Sequence, residues 1–238
     1  RRREALSASR AIETEVPAAL MEAFAPFSDG VSASKWHVLV RFGMWQEILK
    51  EPGPPEWALV GKAMQHYAKG IAYANTERHE EAAEEIAALD DAVEKLVGKE
   101  RKLGNQPASE VMKIAEQILR GEAAFKAGRR EEGLKELKKA VNVEEKIVYA
   151  EPAPWMMPAR HAYGALLVVD GKYQEAEKVF IRDLEIYPAN GWALLGLRDA
   201  LNGQGREDEA KHAERAFRRA WVSADVMPPA ACYCGKTK

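Results

Sequence analysis

The sequence predicts an all-α protein built from repeated helix hairpins, on three observations. Apolar residues return at helical spacing, no stretch alternates apolar and polar residues over a strand's length, and turn-like sites recur at a near-regular period. The helical spacing is clearest in SEVMKIAEQILRGEAAFKAG. There Val111, Ile114, Ile118, Leu119 and Phe125 form an apolar face, with Ser109 as the expected N-cap. β-Branched residues are scattered, so no strand is expected.

The period is read from the turns. FGMW at Gly43, NTERHE at Glu77, KAGRRE at Gly128, VDGKYQ at Gly171 and GQGRED at Gly205 lie 34, 51, 43 and 34 residues apart. Glycine suits a helix C-terminus that closes on a positive φ. The two longer intervals carry insertions. One is VGKERKLGNQPAS, Val97 to Ser109, a polar stretch with Gly and Pro that reads as a loop. The other is EPAPWMMP, Glu151 to Pro158, whose prolines exclude a helix interior. Its Trp155, Met156 and Met157 predict an ordered insert, with Pro158 opening the helix that carries Arg160 and His161. About ten to eleven helices are expected in one domain. Residues 1–53 form irregular helices, 55–221 hairpins and 222–238 a tail.

Composition narrows the function classes. The chain has 238 residues, 47% hydrophobic and 30% charged, which is enough apolar material for a core. A net charge of −2 supplies no basic field for nucleic acid or an anionic membrane, and no apolar run reaches the length of a spanning helix. A soluble chain is expected, with a cytoplasmic location favoured over a periplasmic one. The start, RRREALSASRAIETEV, has no Met and no apolar signal core, which reads as a mature or trimmed chain.

Around Gly171, a small residue at Gly164, Ala176, a large apolar Phe180 and a closing Pro188 form one unit. Gly121, Gly133, Leu137 and Ala140 around Gly128 repeat it loosely, as do Gly70, Ala82 and Ile86 around Glu77. Leu197 and Ala210 flank Gly205, and Trp36, Trp45 and Ile48 surround Gly43 in a shortened copy. This layout resembles the tetratricopeptide repeat over roughly residues 30 to 221. The resemblance implies a right-handed superhelical solenoid in which each hairpin buries its apolar face on the next. Small residues at 164 and 176 would admit close helix approach, and Phe180 would fill the gap toward the following helix. The segments RFGMW, HYAKG, YPANGWALLGLRDAL and AWVSADV are also similar to one group of bacterial tetratricopeptide-repeat proteins. That similarity implies association with further, His-rich repeats upstream in a longer chain.

In such a solenoid the first helix of each pair lines the concave face. Counting back from the anchors places His37, Arg41, Tyr67, Asn75, Glu122, Lys126, His161, Trp192, Asp199 and Asn202 inward, with His66 and Arg160 to the side. A mixed polar and aromatic lining of this kind suits an extended peptide or a chain terminus. The expectation is therefore a non-enzymatic module with a protein or peptide partner, without nucleic acid, membrane insertion, metal, cofactor or catalytic residues. The rival is a metal-dependent or hydrolytic site using His37, His66, Glu122 and His161, completed by upstream repeats. Against it, no HxxxH or HxxE pair sets two ligands on one helix face. Phosphate-loop, dinucleotide-binding and GxSxG patterns are absent as well. KELKKAVNVEEK mixes its charges as a solvated helix face does, and Trp36, Trp45, Trp155 and Trp192 read as packing wedges.

Cys232 and Cys234, followed by Gly235 and Lys236, look like half of a zinc knuckle, but four ligands would be needed. A disulfide across so short a separation is unfavourable, so free thiols are expected.

Overall fold

The computed structural model describes residues 1–235 and is all-helical apart from one minimal strand pair. The chain divides into two compact units, Arg2–Met157 and the segment from Pro158 onward, with Arg1 grouped with the second. No helix among the described residues is long and apolar enough to cross a membrane.

The N-terminal unit begins with α1 (Arg2–Glu15), α2 (Ala18–Ala23) and α3 (Ala25–Ser32). Three hairpins follow: α4 (Ser34–Arg41) with α5 (Trp45–Lys50), α6 (Leu59–Asn75) with α7 (His79–Glu94), and α8 (Ala108–Lys126) with α9 (Arg130–Glu144). α6 packs against both α4 and α8, so the hairpins stack in sequence order. The C-terminal unit holds two more, α10 (Ala159–Val169) with α11 (Tyr173–Ile186) and α12 (Gly191–Gly203) with α13 (Glu207–Ala220). A short 3₁₀ turn, Tyr233–Gly235, packs on α10. The described helices exceed the expected ten to eleven because the first fifty residues break into short pieces.

Each turn anchor read from the sequence has positive φ: Gly43 61°, Glu77 63°, Gly128 87°, Gly171 75° and Gly205 73°. The hydrogen bonds repeat as well. The residue after the anchor donates its N–H back five positions, as in Met44 to Leu39, Arg78 to Tyr73, Arg129 to Ala124, Lys172 to Leu167 and Arg206 to Leu201, all at 2.9–3.0 Å. The anchor's own N–H returns three positions. This pairing is the Schellman motif, which satisfies the last carbonyls of the first helix and reverses the chain. Three of the turns add an exposed pair that opens the second helix: Arg78 with Glu81, Arg129 with Glu132 and Arg206 with Glu209.

The close approach expected around Gly164 is present. A Cβ at Gly164 would lie 2.5 Å from Phe180 Cζ, and one at Gly196 2.2 Å from the same atom. Phe180, fully buried, is thus wedged between α10 and α12, and Ala176 is buried beside it.

Four local expectations are corrected. Ser109 does not cap α8: the cap position is Pro107, and Ser109 lies inside the first turn. The stretch after α7 is not a plain loop. Lys102–Leu103 pairs antiparallel with Gln106–Pro107, Leu103 is buried, and the backbone of Lys102 sits against Gly30 of α3. Pro158 is the cap residue of α10 rather than its first helical residue, with φ −50° and ψ 125°. The insert itself is packed as expected: Trp155 is buried, its ring 4.6 Å from that of His37 and 5.3 Å from that of Tyr67. Met157 is also buried, whereas Met156 is exposed. The cysteines are not free thiols. Cys232, just before the 3₁₀ turn, and Cys234, inside it, form a disulfide, while Lys236 of the zinc-knuckle reading lies outside the described residues.

Candidate functional site

In the N-terminal unit the first helices of three successive hairpins place polar side chains together. α4 carries His37 and Arg41 one turn apart, α6 carries Tyr67 and Asn75 two turns apart, and α8 carries Glu122 and Lys126 one turn apart. Helical periodicity puts each pair on one face. Glu122 is 2% exposed and accepts a hydrogen bond from Asn75 Nδ2 at 3.0 Å. Asn75 also donates to the Ile71 carbonyl at 3.0 Å, which fixes its amide.

The electrostatics tie these residues together. Burial pushes the Glu122 carboxyl up to about 7, against the Asn75 hydrogen bond and the Lys126 charge, which favour its ionised form. Burial lowers Lys126, while Glu122 and Glu77 act to restore it. The Tyr67 hydroxyl is raised well above its ordinary value, first by burial and then by Glu122, with Arg41 opposing. The layout has two levels. Tyr67 and Glu122 are buried beneath half-buried Arg41, Asn75 and Lys126.

His37 belongs to the same unit but has a different character. Its ring is 3% exposed, lies against Trp155, and neither nitrogen has a hydrogen-bond partner among the described residues. Burial lowers it to about 4, so it is neutral at physiological pH. His66 is not in this cluster: its Nδ1 is 2.6 Å from Glu85 on α7, beside a cleft lined by Glu56, Lys62, Asp91 and Lys95.

In the C-terminal unit, Arg160 and His161 are buried at 4% and 2% exposure, not presented on an open surface. His161 Nε2 lies 3.2 Å from Asp183 Oδ2 and 3.0 Å from Asn190 Nδ2, and Asn190 in turn caps α12 through the Trp192 N–H. That network joins α10 to α11 and α12, a packing role for the histidine. Trp192 packs edge-on against Trp221 at 5.3 Å. Asn202 is exposed and, with Asp199, borders a cleft also lined by Arg198, Lys211, Glu214 and Arg215.

Besides Asp183, a second buried acid escaped the sequence reading. Asp29 on α3 is fully buried and accepts the N–H groups of Val60 at 2.9 Å and Gly61 at 3.0 Å, with Arg101 Nε at 3.2 Å. It serves as a distant cap for α6, whose own cap residue, Ala58, has no side-chain acceptor. Burial raises its carboxyl despite these donors. Its position, 31 residues before Val60, hides the role from any local motif.

Comparison with known protein families, with characterised proteins and with solved structures gives no match to this chain.

Proposed function

We propose that the chain is a tetratricopeptide-like, right-handed solenoid that works as a non-enzymatic interaction module, binding a peptide or protein segment. The observation that carries this reading is the convergence of Arg41, Tyr67, Asn75, Glu122 and Lys126 from the first helices of three consecutive hairpins. The repeated Schellman turns support the repeat assignment, because they set successive hairpins in equivalent geometry.

The half-buried Arg41, Asn75 and Lys126 are the ligand contacts in this reading. The two cations suit an acidic side chain or a terminal carboxylate, and the Asn75 amide suits peptide backbone. Tyr67 and Glu122 position these groups from below. The rival hydrolytic or metal-dependent reading draws less support, since His66 is engaged by Glu85 and His161 by Asp183 and Asn190.

Selection of peptides from a displayed random library, followed by fluorescence anisotropy on the winners, tests the proposal. An Arg41→Ala, Lys126→Ala double variant should lose about tenfold or more in affinity, with thermal stability nearly unchanged. Selected peptides that bind the double variant as well as the parent would place recognition elsewhere.

A further inference from the structure

Cys232 and Cys234 are the only cysteines in the chain, and they are bonded to each other. A bridge across two residues closes a very short loop, so it removes little entropy from the unfolded chain and is a poor staple for a fold. Its surroundings give it another use. The segment that contains it is well packed: Ala231 is 1% exposed and Cys234 fully buried, and a Cβ at Gly235 would lie 3.0 Å from that of Ala165 on α10. The Tyr233 ring is 6.2 Å from that of Trp192 on α12. The two sulfurs are unequal. Cys232 is only part-buried, and its Sγ accepts the Cys234 N–H at 3.1 Å, a donor suited to a sulfur that carries negative charge.

We propose that Cys232 and Cys234 are a reversible dithiol–disulfide couple that exchanges with small-molecule thiols, and that its oxidised form holds the turn Tyr233–Gly235 on α10. An incoming thiolate attacks the more open Cys232 sulfur, breaking the S–S bond and releasing Cys234 as the thiolate, which takes up a proton. A second thiolate attacks the external sulfur of the mixed disulfide and releases Cys232. The balance is one protein disulfide plus two thiols giving one protein dithiol plus one small-molecule disulfide. In reoxidation Cys232 attacks the small-molecule disulfide and Cys234 resolves the adduct. Since no third cysteine exists, the couple has two long-lived states, both thiols or one disulfide.

The test equilibrates the full chain in glutathione buffers of graded ratio, quenches with acid, labels with N-ethylmaleimide in denaturant and weighs the intact protein. Species with no label and with two labels should interconvert reversibly, and hydrogen exchange at 231–235 should speed up in the reduced form while α11 and α12 keep their protection. The Cys234→Ser variant should accumulate glutathione on Cys232, whereas Cys232→Ser should react much more slowly. A Cys232→Ser, Cys234→Ser double variant should fold with the parent's circular dichroism and show the exchange pattern of the reduced form. Two labels in every buffer, or none in any, would overturn the couple. So would zinc retained by the reduced chain in an amount that blocks reoxidation. Equal amide protection in the two states would overturn its hold on the turn.

Discussion

The two units apply one hairpin plan to different ends. In the C-terminal unit the joint between successive hairpins is close-packed, with Phe180 held between Gly164 and Gly196, and its buried polar groups gather in one network of His161, Asp183 and Asn190 across the same helices. In the N-terminal unit the buried ionisable groups are instead spread over separate helices, Asp29 on α3, Lys35 and His37 on α4 and Glu122 on α8. Lys35 is held by Glu13 at 2.7 Å and Glu51 at 3.2 Å, Asp29 by backbone and Arg101, Glu122 by Asn75. A joint of small and large apolar groups gains stability from contact. A polar interior gives up some of that gain to keep charge and hydrogen-bonding capacity inside the fold. The units thus differ in how buried polar groups are distributed, one shared network in the C-terminal unit and several separate ones in the N-terminal unit.

The comparison is broken most directly at Phe180. Phe180→Ala should destabilise the protein by about 3–5 kcal/mol in urea unfolding, the cost of an unfilled cavity between two helices. A loss near 1 kcal/mol would mean that the joint collapses onto itself. In the other unit, Asp29→Ala should cost about 3 kcal/mol, because the Val60 and Gly61 N–H groups and the Arg101 guanidinium lose a buried acceptor. Asp29→Asn, which keeps an acceptor, should cost less.

The polar interior also predicts a pH signature. Glu122 has its folded value raised to about 7, so the folded state binds the extra proton and this contribution is lost as pH rises from the ordinary carboxylate range through about 7. His37 is lowered to about 4, so its contribution is present above the ordinary imidazole value of 6.5 and is lost as pH falls through about 4. The windows overlap and the slopes oppose. Relative to the parent, Glu122→Gln should therefore gain stability increasingly as pH rises from about 4.5 to 7, and His37→Leu should lose a contribution that climbs between about 4 and 6.5. Glu116, also raised to about 7, acts equally in all three proteins. Each change amounts to roughly 3 kcal/mol at most. Identical pH profiles for parent and both variants in calorimetry would show that neither group titrates as its surroundings dictate.

The smallest effect concerns the one anchor that is not glycine. Glu77 has φ 63°, and Glu77→Gly should stabilise the fold by about 1 kcal/mol through relief of the left-handed conformation. A loss of stability would show that the Glu77 side chain outweighs its backbone cost.

Much of this architecture was legible because it is local. Helical periodicity, the recurring turn residues and the triplet of small, small and large at 164, 176 and 180 depend on sequence spacing alone. The structure keeps them at the expected residues, with positive φ at every anchor. The same counting nominated Arg41, Tyr67, Asn75, Glu122 and Lys126, since residues on one helix face follow from the helical repeat. Which of the inward positions meet one another was decided by tertiary packing. His66 and His161 look equivalent to His37 in the sequence, yet one is taken up by Glu85, another by Asp183 and Asn190, and the third by an edge-on contact with Trp155. Asp29 capping α6 and Arg101 reaching it from just before the strand pair are contacts between residues far apart in the chain. Local spacing fixes the direction of a side chain from its own helix axis. Only the way helices pack determines what stands opposite, and burial then sets whether a carboxyl or an imidazole keeps its charge.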